Sequence, residues 1–172
     1  MSKFIAGIVF AVVAAVLALV ICARGGHLAV NADATPGIIE HWLASTALDA
    51  AVEHHAPQAQ NPVPKTDANL IEGMRLYAMN CGLCHGGLDR KPNVMGGAFY
   101  PPAPQIIVRG MPDPEWQIFY VIKHGVRLTA MPAWGKVLRD EDLWKITAFV
   151  KNVNQLPPAV EQQRLQALGS TD

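Results

Sequence analysis

The sequence predicts an all-α protein, a small helical domain preceded by one membrane-spanning helix. Three observations predict it. Residues 4–22 are almost wholly apolar and uncharged. Later stretches place apolar residues three and four positions apart, and none reads as a strand. Cys81-Gly82-Leu83-Cys84-His85 closes the first of those stretches.

The pentapeptide organises the rest. Two thiols two residues apart can each form a thioether to a porphyrin periphery, and the histidine that follows can bind iron through a ring nitrogen. Cys81 and Cys84 are therefore expected to attach one haem c, with His85 as an axial ligand. The same spacing also serves dithiol redox sites and half-sites for zinc. No second Cys or His pair follows at short spacing. No strand pattern precedes the motif, as a thioredoxin-like site would need.

Composition sets bounds. The chain has 172 residues, 51% hydrophobic and 16% charged, which leans toward a membrane protein. Formal net charge is zero, so no nucleic-acid partner is expected. The third cysteine, Cys22, lies in the apolar run, so no disulfide framework is expected.

Residues 1–24 are expected to form the transmembrane anchor. About 19 apolar residues at roughly 1.5 Å each match the hydrocarbon thickness of a bilayer. Lys3 and Arg24 flank the run, so the positive-inside signal is weak. Cleavage as a signal peptide is the rival reading, but the small-x-small triplet Ala32-Asp33-Ala34 lies well past the apolar run. Lipidation would need a small residue before Cys22, where Ile21 stands.

Residues 25–65 form the juxtamembrane stretch. Pro36-Gly37 opens a helix expected over 38–54, with Ile38, Trp42, Leu43, Thr46, Ala47, Ala50 and Ala51 on its apolar face. It is expected to pack on the haem domain, lie at the membrane surface or dock a partner subunit. His54 and His55 end it and are expected to be solvated. Residues 56–64 contain Pro57, Pro62 and Pro64 and read as an extended, semi-stiff linker.

Residues 66–158 are expected to be the haem domain. Thr66 caps a helix with Leu70, Gly73, Met74 and Tyr77 on one face, which delivers Cys81. Gly73 costs about 1 kcal/mol relative to alanine, and a close helix contact is the expected compensation. Residues 86–112 read as a long loop covering the haem. Asp113 is expected to cap the next helix, with Pro114 at its first position and Gly125 at its end. The loop with Met131-Pro132 follows. Asp140, Glu141 and Asp142 then open a helix that buries Leu143, Ile146, Phe149, Val150 and Val153. Pro157-Pro158 stops it, and the polar tail, 159–172, is expected to fray.

Helix, attachment motif, Met-Pro loop and C-terminal helix with an aromatic at Trp144, in that order, resemble class I c-type cytochromes in their membrane-anchored, single-haem bacterial form. The resemblance covers residues 66–157. It implies a cytochrome c-like fold of about four helices wrapped around one covalent haem. It implies closely crossing first and last helices, with Gly73 and Tyr77 against Trp144 or Phe149. It places a proline carbonyl on the proximal histidine, and Pro104, or else Pro102, is the candidate. It points to Met131 as the sixth ligand, with Met111, Met95 and His124 as rivals. The implied location is the bacterial inner membrane, single-pass, with the haem domain in the periplasm.

Two occupied axial positions leave no open site, so electron transfer is expected rather than catalysis. The expected work is single-electron carriage in a respiratory chain. The expected partners are redox proteins: a donor dehydrogenase or quinol-oxidising complex, and an acceptor oxidase or soluble cytochrome. No small-molecule substrate is expected. The alternatives are a cytochrome subunit fixed in a larger oxidase or dehydrogenase, and a haem-based sensor or enzyme. Arg90, Lys91, Arg109, Lys123, Arg127 and Lys136 outnumber the nearby acids. Clustered at the haem edge, they would imply an acidic partner surface.

Overall fold

The computed structural model describes residues 1–28 and 30–169, and these form helices, turns and loops with no strand. The chain divides into two compact units, Met1–Ala34 and the remainder from Thr35.

The first unit is dominated by α1, Ser2–Arg24. None of its residues is buried and its most apolar 18-residue stretch has a mean hydropathy of 3.1, so it is long and apolar enough to cross a membrane. At about 1.5 Å per residue it reaches roughly 35 Å.

The second unit is built on α3 (Asp67–Asn80) and α8 (Asp140–Asn152), which cross in direct contact. Gly73 makes the crossing possible. A Cβ there would run into the backbone carbonyl of Lys145 and lie 3.2 Å from Phe149 Cβ. Backbone contact at this point offsets the roughly 1 kcal/mol that glycine costs inside a helix. Tyr77 packs on Phe149 with ring centroids 5.4 Å apart, and both are almost fully buried. Trp144 turns elsewhere and stacks on Phe119 at 3.9 Å. Each large side chain sealed in this way contributes roughly 1.5–3 kcal/mol.

The ends of these helices follow local chemistry. Thr66 accepts a hydrogen bond from the Asn69 N–H at 3.3 Å and caps α3. Asp140, Glu141 and Asp142 fill the first turn of α8, where the helix dipole favours negative charge. Between them, α7 (Glu115–His124) packs on α8. Pro114 stands at its N-cap rather than in its first turn, and Asp113 does not cap it. The carbonyl of Asp113 accepts instead from Lys151 Nζ of α8 at 2.7 Å, which ties the entry to α7 to that helix.

The long stretch after the pentapeptide is less irregular than expected. It holds α5 (Val94–Gly97) and α6 (Ile106–Arg109), with the pentapeptide itself in α4 (Gly82–His85). A 3-10 turn, Trp134–Lys136, follows the Met-Pro loop.

Two further regions depart from expectation. The expected frayed tail is instead α9, Pro158–Gly169, with Val160 and Arg164 buried. Proline stops one helix but is also favoured in the first turn of the next, and Pro158 does the second job. Arg164 donates to the Leu88 carbonyl and pairs with Glu161 at 2.7 Å, which ties α9 to the loop after the pentapeptide. Residues 170–172 of that tail lie outside the described residues. The other departure is α2, Ile38–His55, whose expected apolar face is not its packing face. Ile38, Trp42 and Leu43 stand exposed, while Val52 and the following Ala56 are buried. The segment after α2 is irregular, with the Ala59 N–H donating to the Pro57 carbonyl at 2.7 Å, and Asn61 fastens it by donating to the Trp144 carbonyl at 3.2 Å.

Candidate functional site: the cavity behind the Cys-x-x-Cys-His turn

A cavity of about 850 Å³ opens inside the second unit. Its size falls within the usual range for cofactor sites, roughly 300–1,000 Å³. Cys81, Cys84, His85, Pro104, Met111 and Met131 all contribute to its wall. The rest is mostly apolar, with Ile118, Ile122, Ile146, Val150 and Trp134 among the lining side chains.

One wall is built by α3, α4 and the loop to α6. Buried Tyr77 donates its hydroxyl to the carbonyls of His85 (3.0 Å) and Gly86 (2.9 Å). Burial pushes its phenol well above the ordinary range, so it remains a neutral donor. The ring of His85 lies with Nδ1 2.9 Å from the carbonyl oxygen of Pro104. A carbonyl only accepts, so Nδ1 carries the proton and Nε2 keeps its lone pair. Burial lowers the His85 pKa and the bond to Pro104 partly opposes it, so the imidazole is neutral.

Burial, helped by Cys84, pushes the Cys81 thiol up to about 12. A dithiol redox site needs the opposite, a depressed thiol pKa. Among the described residues, no three His, Cys, Asp or Glu side chains converge to hold a metal ion, and a structural zinc site takes four ligands. The donor set fits haem instead. It offers two unpaired thiols, a neutral imidazole with a free nitrogen, and thioethers, around an apolar space of cofactor size.

Another part of the lining is the loop 126–132. The Val126 N–H donates to the Met131 carbonyl at 3.2 Å. Thr129 Oγ1 donates to the Val126 carbonyl at 2.7 Å and accepts from the Met131 N–H at 3.0 Å. Gly125 lets this loop fold back. Its φ is +67°, and a Cβ would lie 2.6 Å from the Met131 carbonyl oxygen.

The structure sorts the rival ligands. Met131 and Met111 line the cavity. Met95 is 44% exposed and does not. His124 packs on Tyr120 at 4.5 Å and, like His54 and His55, is exposed and outside the lining. Pro102 lines the cavity, but the imidazole bonds Pro104.

Several contributors were not anticipated from the sequence. The C-terminal half of α2 forms part of the wall through Leu48, Asp49, Val52 and Glu53. Glu53 accepts from Gln117 Nε2 of α7 at 2.9 Å, which holds the helix there. The available signal was the spacing of Leu48, Val52 and Ala56, four residues apart each time. The acidic side chains along the wall are Asp49, Glu53 and Asp113. Arg90, Lys91, Arg109, Lys123, Arg127 and Lys136 are not among the lining. Lys123 is paired with Asp140 at 2.7 Å and Arg90 with Glu161 at 3.3 Å.

Residues 68–150, just under half of the chain, match the family model described as cytochrome c oxidase, cbb3-type, subunit III. No curated protein matches. Among solved structures, a reducing HAO-like protein complex from Kuenenia stuttgartiensis is similar at 20% identity and a TM-score of 0.46. That alignment covers 60% of this chain and 53% of the other, so this chain spans about half the length of that relative. The matched segment begins in α3 and ends in α8, and it contains the pentapeptide, Pro104 and Met131. Residues 68–150 therefore carry a c-type cytochrome domain, which indicates covalently bound haem c.

Proposed function

We propose that this chain is a membrane-anchored, single-haem electron carrier of a respiratory chain, with its haem domain on the periplasmic side. One observation carries the reading. The cavity is lined both by a neutral imidazole held by Pro104 and by Met131. In this reading Cys81 and Cys84 form the thioether links, and His85 and Met131 are the axial pair. Haem supplies a one-electron iron couple, and histidine–methionine ligation raises its potential relative to two histidines.

The chain's residues do the rest. Pro104 holds the His85 proton at Nδ1 and so presents Nε2. The Thr129 and Gly125 contacts fold the Met131 loop inward. Apolar side chains of α7 and α8 keep water from the cavity, which favours a low reorganisation cost. The length and hydropathy of α1 support the anchor.

The test is the absorption spectrum of the purified holoprotein, oxidised and reduced, beside that of Met131→Ala. The expected result is a low-spin spectrum with the weak far-red band of methionine-ligated ferric haem, lost in the variant. A high-spin parent, or one that binds carbon monoxide readily when reduced, would sink the carrier reading in favour of a sensor or enzyme.

The family model favours a second reading, a fixed subunit of a larger membrane oxidase. Its chemistry is the same. Purification in mild detergent separates the two, because a carrier elutes alone and a subunit elutes with companion chains.

A further inference from the structure

We propose that Gln105 is a positioning residue for the His85 imidazole, a second cross-link beside the His85–Pro104 bond that sets how strongly that bond is made. The inference rests on reading His85 as an axial iron ligand.

The side-chain amide of Gln105 is fully engaged. Nε2 donates to the carbonyls of Cys84 and Ala103, both at 3.0 Å. Oε1 accepts from the Asn93 N–H at 2.8 Å. Carbonyls only accept and a peptide N–H only donates, so the orientation of the amide is determined by its partners.

The placement matters more than the count. Cys84 directly precedes His85, and Gln105 directly follows Pro104. The same two segments are therefore joined at adjacent positions, Cys84 to Gln105 and His85 to Pro104. A single hydrogen bond would leave the segments free to pivot about it. Two neighbouring ones fix both separation and orientation.

Packing locks the arrangement from outside. Gly96 lies so close that a Cβ there would run into the Cys84 carbonyl oxygen and the Gln105 amide. The Ala103 N–H donates to the Gly96 carbonyl at 2.8 Å, which pins the same segment from the other side. The Asn93 contact adds the start of α5 to the assembly.

The chemical consequence follows from the imidazole. Donation from Nδ1–H to a carbonyl raises the basicity of the other ring nitrogen. A more basic axial ligand favours ferric over ferrous iron, and hydrogen bonding around a ligand is one of the levers a protein has on haem potential. Gln105 thus acts on the potential through Pro104 and His85 without touching the cofactor.

The test is a potentiometric titration of the full-length holoprotein, with thermal midpoints measured alongside, for the parent, Gln105→Met and Gln105→Asn. Both variants are neutral, so neither adds a charge that would move the potential by itself. The expected result is an upward shift in Gln105→Met and a smaller shift of the same sign in Gln105→Asn, which keeps an amide on a shorter arm. Potentials equal to the parent's in both would overturn the proposal, even with a lowered thermal midpoint, and would leave Gln105 a brace for the loop. If Gln105→Met does not accumulate as holoprotein, Gln105→Asn decides alone by the same criterion. His85→Ala serves as the control. A parent-like low-spin spectrum in that variant would remove the axial reading and the proposal together, whereas an unshifted Gln105 series beside an altered control removes the proposal only.

Discussion

Residues 81–105 reach the cavity through hydrogen bonds that cross between distant parts of the chain, whereas residues 126–132 reach it through contacts made inside one short loop. On the first side, Tyr77 of α3 holds the carbonyls of His85 and Gly86, Pro104 holds the imidazole, and Arg164 of α9 holds Leu88. Arg90 returns to the Val153 carbonyl at 3.1 Å. On the second side, Val126, Thr129 and Met131 bond one another, and the exposed Leu128 between them has a φ of +62°. The histidine wall can give way only by disturbing α3 or α9. The methionine wall can open by itself, at the low end of the local-unfolding scale. The wall that carries Cys81, Cys84 and His85 is therefore preorganised, and the loop that carries Met131 is adjustable.

The largest test of this difference compares His85→Ala with Met131→Ala. Loss of the histidine is expected to abolish the low-spin spectrum and lower the thermal midpoint severely. Loss of the methionine is expected to remove the far-red band at a cost of about 2 kcal/mol, the low end for truncating a buried methionine. Equal thermal midpoints would break the comparison.

Gly96→Ala comes next. Its Cβ would press on the Cys84 carbonyl and the Gln105 amide, and overpacking of that kind costs about 1–3 kcal/mol. Chemical denaturation of the holoprotein should show the loss, together with a reduced yield of haem-attached protein.

Tyr77→Phe and Thr129→Val form the matched pair. Without the Tyr77 hydroxyl, two buried carbonyls lose a donor, and about 1–3 kcal/mol should be lost. The Thr129 hydroxyl lies in a half-exposed loop where water can substitute, so about 0.5–1 kcal/mol is expected. A denaturant midpoint lower for Thr129→Val than for Tyr77→Phe would reverse the assignment of the rigid wall.

The smallest effect concerns pH. A hydrogen bond from Arg164 is the main influence holding the Glu161 carboxyl below the usual carboxylate range, against some desolvation. A depressed folded-state pKa stabilises the fold above the unfolded value and loses that contribution as pH falls through the folded one. Glu161 is about one-third exposed and screened by solvent although Arg164 is buried, so the contribution is under about 1 kcal/mol. Amide exchange in α9 should quicken as the medium is acidified below the ordinary carboxylate range, and Glu161→Gln should flatten that dependence. An unchanged profile in the variant would detach α9 from the histidine wall.

How much of this was legible varies with how local each interaction is. The pentapeptide is chemistry within five residues, so spacing alone carries it. Gly73 announced a helix crossing because a glycine inside a strong helical pattern needs a compensating contact, and Lys145 provides it. The Gln105 amide left no such mark, since its partners Cys84, Asn93 and Ala103 are brought to it by the turn of the chain. The face of α2 was misjudged because small and apolar residues occur all round that helix. The stripe of Leu48, Val52 and Ala56 competed with Ile38, Trp42 and Leu43, and the larger side chains drew the assignment.

By itself the sequence determined the helical class, the apolar first helix, the haem-attachment turn and the Met-Pro loop, because each is written in periodicity or spacing over a few residues. The tertiary structure alone decided which proline carbonyl meets His85, that α2 supplies part of the cavity wall and that the last twelve described residues form a docked helix. Those outcomes depend on which surfaces meet in space. A helix with more than one apolar face, or a polar tail with a single valine and arginine to bury, takes its place only when a partner surface is there to receive it.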